Sequence, residues 1–149
     1  MQFDRLPDYL RWANRRMLDS MEKAPPLEPR AWEIATHLLE AESLWLDRLQ
    51  ARPSPPISWP TLTNPANLPP MIDRNASAYE QYISHLAGQN PTITYTNTKG
   101  QSFNNTAHDI LAHVFSHGAY HRGQIAPLVK RANGTPAQTD YILFVRENQ

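Results

Sequence analysis

Four stretches of this chain repeat their apolar residues at intervals of three and four, and runs of proline divide them. That period is the strongest constraint on the fold, because it places the apolar side chains on one stripe of a helix and not on one face of a strand. The first stretch, Asp4 to Met21, carries Leu6, Leu10, Met17, Leu18 and Met21, with Tyr9, Trp12 and Ala13 between them. KAPPLEPR ends it, since proline removes a backbone donor and restricts the residue before it. The second, Pro29 to Leu49, repeats Ile34, Leu38, Ala41, Trp45 and Leu49.

Seven prolines then fall between Pro53 and Pro70. They predict a stiff surface loop; the alternative is a loop that carries Ile57 and Trp59 over a bundle end and partly covers a pocket. A third helix is expected from Pro69 to Leu86, burying Met71, Ala78, Tyr82 and Leu86. Residues 92–103, TITYTNTKGQSF, switch to a period of two around NTKG, which reads as a short hairpin. A fourth helix, capped by Asn104, Asn105 or Thr106, runs to Arg131 and closes at Asn133-Gly134. A last turn from Gln138 to Val145 supplies Tyr141, Ile142 and Phe144. Four main helices, one hairpin and no internal repeat predict an all-α single domain over residues 1–149, a four-helix bundle with a short β-hairpin between helices 3 and 4.

The charge balance narrows the partners. Fourteen basic and fourteen acidic residues cancel, with no basic run, so nothing favours nucleic acid or an anionic membrane. MQFDRLPDYLRW places charges where an export signal needs an apolar run, and a cytoplasmic location is expected. The chain has no cysteine, so a metal site would be built from imidazole, carboxylate and water.

HVFSHGAYHRGQ, residues 113–124, is where such a site would lie. Side chains four apart share a helix face, so two imidazoles at that spacing can meet one ion. His113 and His121 are eight apart, a rise of about 12 Å, too far to share an ion with Zn–N bonds of about 2 Å. The helix therefore offers His113 with His117, or His117 with His121. A third ligand must come from elsewhere. His37, set in the apolar stripe of the second helix, is the best donor, whereas solvation accounts for His85 and His108. Gly118 occupies the position where a zincin has its glutamate base, which argues against protease activity. Gln124 lies on the face of His121, Asp109 one turn before His113, and Glu40 three residues past His37. Each is a candidate to orient an imidazole or accept its proton.

HVFSHGAYHRGQI together with ATHLLEAESLWLDRL resembles the DinB/YfiT-like superfamily of metalloenzymes, most closely the DinB family, over essentially the whole chain. The resemblance implies up-down-down-up connectivity, a homodimer, and a divalent metal held by one histidine of the second helix and two of the fourth. Carried onto this sequence these are His37, His117 and His121, with zinc or nickel the expected ion. His113 then becomes a supporting or packing residue. Relatives include S-transferases that use bacillithiol or mycothiol and a mycothiol-dependent maleylpyruvate isomerase. The resemblance thus implies a small-molecule substrate and a low-molecular-weight thiol cofactor, handled by a thiol-dependent transferase or a small-molecule hydrolase. The alternative is a non-catalytic metal-binding protein of the stress response. An open coordination position would face a cavity lined by Trp45, Tyr120 and the proline-rich loop. Arg48 and Arg122 are the candidate contacts for acidic groups of a thiol, or else surface ion pairs.

Overall fold

The computed structural model describes residues 3–59 and 63–149 and is mostly helical, with one small antiparallel sheet. In chain order the elements are α1 (Leu6–Lys23), α2 (Pro29–Leu49), a 3-10 turn (Pro65–Asn67), α3 (Leu68–Leu86), β1 (Thr92–Thr96), β2 (Ser102–Thr106), α4 (Ala107–Arg131) and α5 (Tyr141–Glu147). Prolines open α1, α2 and α3 within their first turns, where the missing N–H has no helical partner to lose. A capping box starts α4: the Thr106 hydroxyl accepts from Asp109 N–H, and the Asp109 carboxylate accepts from Thr106 N–H. The helix runs unbroken through Pro127 to Arg131.

The hairpin is longer than its alternation predicts. Pairing runs from Thr96 opposite Ser102 to Thr92 opposite Thr106, so β2 continues three residues past Phe103 and feeds directly into α4. Asn104 and Asn105 break the apolar alternation, but hydrogen bonds to Thr94 and Tyr95 hold them in the ladder.

Helix α2 packs against α3 and α4, and α1 packs against the same two, while α5 lies on α1. The interior divides into two apolar clusters. One gathers Leu6, Tyr9 and Leu10 of α1, Leu46 and Leu49 of α2, Tyr79 of α3, Ile110, Leu111 and Val114 of α4, and Phe144. The other gathers Met17, Leu18 and Met21 of α1, Ile34, Ala35, Leu38 and Leu39 of α2, Leu68 and Ile72 of α3, and Ile125 and Val129 of α4. Between them lies a layer of buried polar residues drawn from all four long helices, Asn14, Glu42, Asn75 and Arg122.

That layer is hydrogen-bonded across helices. Asn14 donates to Glu42 Oε1 at 2.8 Å, and Arg122 donates through Nη1 to Asn14 Oδ1 and through Nη2 to the Tyr9 hydroxyl, both at 2.9 Å. Asn75 donates to the Leu39 carbonyl at 2.9 Å and Tyr79 to the Glu42 carbonyl at 2.6 Å. Arg122 is thus neither a surface ion pair nor a ligand contact at the rim. It is a core residue, 4% exposed. Among the described residues, no helix is long and apolar enough to cross a membrane.

Candidate metal centre

On the α2–α4 seam the chain brings His37, His117 and His121 together. One ring nitrogen from each lies within 4.8 Å of the others, and among the described residues no fourth His, Asp or Glu joins the group. The His121 and His117 Nε2 atoms face one another at 3.1 Å. With metal–nitrogen bonds of about 2.0–2.1 Å, two nitrogens at that separation subtend an angle of roughly 95–100°, within reach of octahedral or tetrahedral geometry. His37 reaches the pair from α2, its ring 4.9 Å from His121 and 5.6 Å from His117. Its Nδ1 is buried and has no hydrogen-bond partner.

The imidazoles are kept neutral. Burial first, then the neighbouring His121, His113 and His37, push His117 down to about 4. Burial also lowers His37, with help from His121 and Arg30. His121 is lowered by burial and by Arg30, against the opposing hydrogen bond to Gln124. Neutral imidazole is the form that binds a metal. The Gln124 carbonyl oxygen accepts from His121 Nδ1–H at 2.8 Å, which fixes the tautomer and leaves the Nε2 lone pair turned toward His117. The donor set therefore fits a divalent cation of the kind imidazole suits.

The other predicted residues fall around this group. His113 stays outside it, packed between Trp45 at 4.7 Å and His117 at 5.2 Å. Glu40 makes no hydrogen bond to His37. It lines a cavity of about 370 Å³ beneath the proline-rich loop, with Leu44, Ile57, Ser58, Met71 and Arg74, and one of its carboxylate oxygens is buried and unpartnered. Asp109 serves the capping box and makes no bond to His113. Tyr120 is 63% exposed, its ring 5.2 Å from His121. From the loop, Trp59 lays its ring edge-on to His37 at 4.5 Å, and the Arg30 guanidinium stacks on that indole at 4.6 Å. Residues 60–62 of the loop lie outside the described residues.

Sequence reading missed Asn14, Glu42 and Asn75, although a signal was present. Glu42 stands four residues from both Leu38 and Leu46, a carboxylate in the middle of an apolar stripe. The HRGQ motif now divides by face. His121 and Gln124 serve the imidazole group, while Arg122 turns into the core.

The sequence model of the DinB family matches residues 4–149. The chain belongs to the DinB family. It is similar to Protein DinB of Bacillus subtilis (strain 168), with 22% identity over 166 residues that take in 95% of this chain and 92% of that protein. No solved structure matches it. For a DinB-family chain, the three-histidine group at metal-binding distance is consistent with a metal-binding protein.

Proposed function

We propose that His37, His117 and His121 hold one divalent cation, zinc or nickel, and that this DinB-family chain is a metal-dependent enzyme acting on a small molecule. The reaction is a thiol-dependent S-transfer or a hydrolysis. The observation that carries the reading is the set of three converging imidazoles with no fourth protein ligand. Three ligands leave coordination positions for a reactant, as in catalytic sites, whereas structural sites are closed by four. Bound there, the cation would lower the pKa of a water or thiol that reached it. The chain's own part is to present neutral nitrogens, to hold His121 through Gln124, and to shield His37 with Trp59.

The frame belongs to the same proposal: a four-helix bundle of up-down-down-up connectivity, assembled as a homodimer. The order in which each helix meets the two core clusters supports that connectivity. α1 and α4 pass from the Tyr9–Val114 cluster to the Met17–Val129 cluster, and α2 and α3 pass the other way. Sedimentation tests the homodimer.

The test of the site is metal titration of tag-free protein, followed by turnover assays with thiol–electrophile pairs and ester substrates. One cation per chain is expected, with binding and turnover both lost in His117→Ala while the helical signal survives. Wild-type stoichiometry in His117→Ala would overturn the site. A non-catalytic metal-binding role has one observation in its favour, that the 370 Å³ cavity is lined by none of the three imidazoles. Metal binding without turnover across the panel would establish that role instead.

A further inference from the structure

Arg48, in the last turn of α2, is a cation without an anion. Its guanidinium carbon lies 4.4 Å from the centre of the Trp45 ring and 4.8 Å from that of Tyr95. The two rings meet nearly at right angles, 5.3 Å apart, so the guanidinium fills the corner between them. The Tyr95 hydroxyl is tied to Asn105 Oδ1 at 2.9 Å, which fixes that wall to the hairpin. Burial pushes the Arg48 pKa down. No carboxylate pairs with it among the described residues, because its neighbour Asp47 engages Arg52 at 3.2 Å.

The contrast with the other arginines is informative. Arg11, Arg15, Arg16, Arg30, Arg52 and Arg131 pair with acids, and Arg122 is hydrogen-bonded in the core through both terminal nitrogens. Arg5, Arg74 and Arg146 share the lack of an acid partner among the described residues, but Arg74 and Arg146 are exposed and Arg5 donates to the Asn148 carbonyl, whereas Arg48 is half-buried against two aromatic rings. Removing a guanidinium from water without a partner costs free energy. Stacking satisfies its faces only. The N–H donors around its edge stay available, in a planar fork that matches a carboxylate.

The position relates this edge to the imidazole group. Trp45 packs on His113 as His37 packs on His121, so α2 and α4 run antiparallel along the seam. Ala41 is then level with His117. From Ala41 to Arg48 is seven residues, roughly 10 Å at 1.5 Å per residue. The geometry points to Arg48 as a binding residue for a carboxylate on the substrate, held against the Trp45–Tyr95 corner about 10 Å from the atom that reaches the imidazoles. The placement of that reacting atom rests on the metal-centre reading. The carboxylate site does not.

The test uses three probe series of graded length: alkanoates, ω-mercaptoalkanoates and ω-mercapto alcohols. Each is titrated calorimetrically into metal-loaded and chelator-stripped protein, with the NMR signal of the Arg48 side-chain Nε–H as a local readout. Mercapto acids should bind about tenfold or more tightly than alcohols of equal length. Alkanoates should move the Arg48 signal with or without metal. Arg48→Gln should erase the preference for acid and leave alcohol binding unchanged, and Arg48→Lys should restore part of it. Equal affinity for acid and alcohol, an unmoved Arg48 signal, or an acid preference that survives Arg48→Gln in folded protein would overturn the assignment. If the acid preference holds but the thiol adds no affinity in metal-loaded protein, the placement of a reacting thiol at the imidazoles fails and the Arg48 site stands.

Discussion

Gly118 leaves the space that Arg122 fills. A Cβ on Gly118 would stand 2.9 Å from Arg122 Nη1, the atom that donates to Asn14 Oδ1. The end of an arginine can often move aside, but this one is held by Asn14 and Tyr9 in the core. Gly118→Ala gains about 1 kcal/mol of helix propensity and loses a buried, charge-assisted hydrogen bond of about 1.5–3 kcal/mol. Net destabilisation of about 0.5–2 kcal/mol is expected. In an Arg122→Ala background the conflict is gone, and the same substitution should stabilise by about 1 kcal/mol. Urea unfolding of the four proteins in this cycle checks it, and an effect of unchanged sign would refute the explanation.

Glu42 makes stability depend on pH in an unusual direction. Burial pushes its carboxyl up to about 7, against the opposing pull of Asn14, Arg122 and Asn75. Between about 4.5 and 7 the folded chain then holds a proton that the unfolded chain releases, so this contribution falls as pH rises. The displacement corresponds to about 3 kcal/mol. The histidines act oppositely: with His117 lowered to about 4, stability rises with pH as the unfolded imidazole deprotonates. Glu42→Gln retains the histidines and removes the carboxyl. The stability difference between the two proteins, measured with chelator present, should move by about 3 kcal/mol in favour of the variant from pH 4.5 to pH 8. A difference independent of pH would mean that Glu42 titrates normally.

Gln124 sets which nitrogen of His121 is free. Its carbonyl accepts from Nδ1–H at 2.8 Å, so loss of that acceptor releases both the tautomer and the ring orientation. Gln124→Leu should weaken cation binding by about 10–100-fold with little change in helical content. Calorimetry with zinc and nickel measures this directly. Wild-type affinity in the leucine variant would show that the hydrogen bond does not orient the ligand.

How much of this was legible in the sequence depends on the range of the interaction. The α2 boundaries, Pro29 and Leu49, coincide with its apolar stripe because proline at the start and periodic burial are both local signals. Spacing along α4 placed Gln124 beside His121 by the same local geometry. It could not choose between the two histidine pairs, because the choice depends on where His37 arrives from α2. Asn14, Glu42, Asn75 and Arg122 lie far apart in the chain and meet only through the register of four helices. Glu40 and Glu42 differ by about 200° around one helix, enough to put the first in a cavity wall and the second in the core. The Trp59 contact with His37 crosses a proline-rich loop whose path no periodicity reports.

Arg30 should influence metal binding in two opposite ways. Its charge lowers the pKa of both His37 and His121, after burial and the nearer contacts. By disfavouring protonated imidazole it keeps the ligands available at lower pH, yet as a cation it also repels a divalent ion. Arg30→Met removes both effects. At pH 8, where the imidazoles are neutral in either protein, the variant should bind zinc more tightly. On acidification it should lose the ion sooner, because His37 and His121 accept protons at a higher pH. The two affinity curves should therefore cross. The stacking of Arg30 on Trp59 adds a check, since a non-ionic loss of loop packing would weaken binding at every pH. Parallel curves, with the variant weaker throughout, would assign Arg30 to the loop and not to the electrostatics of the imidazoles.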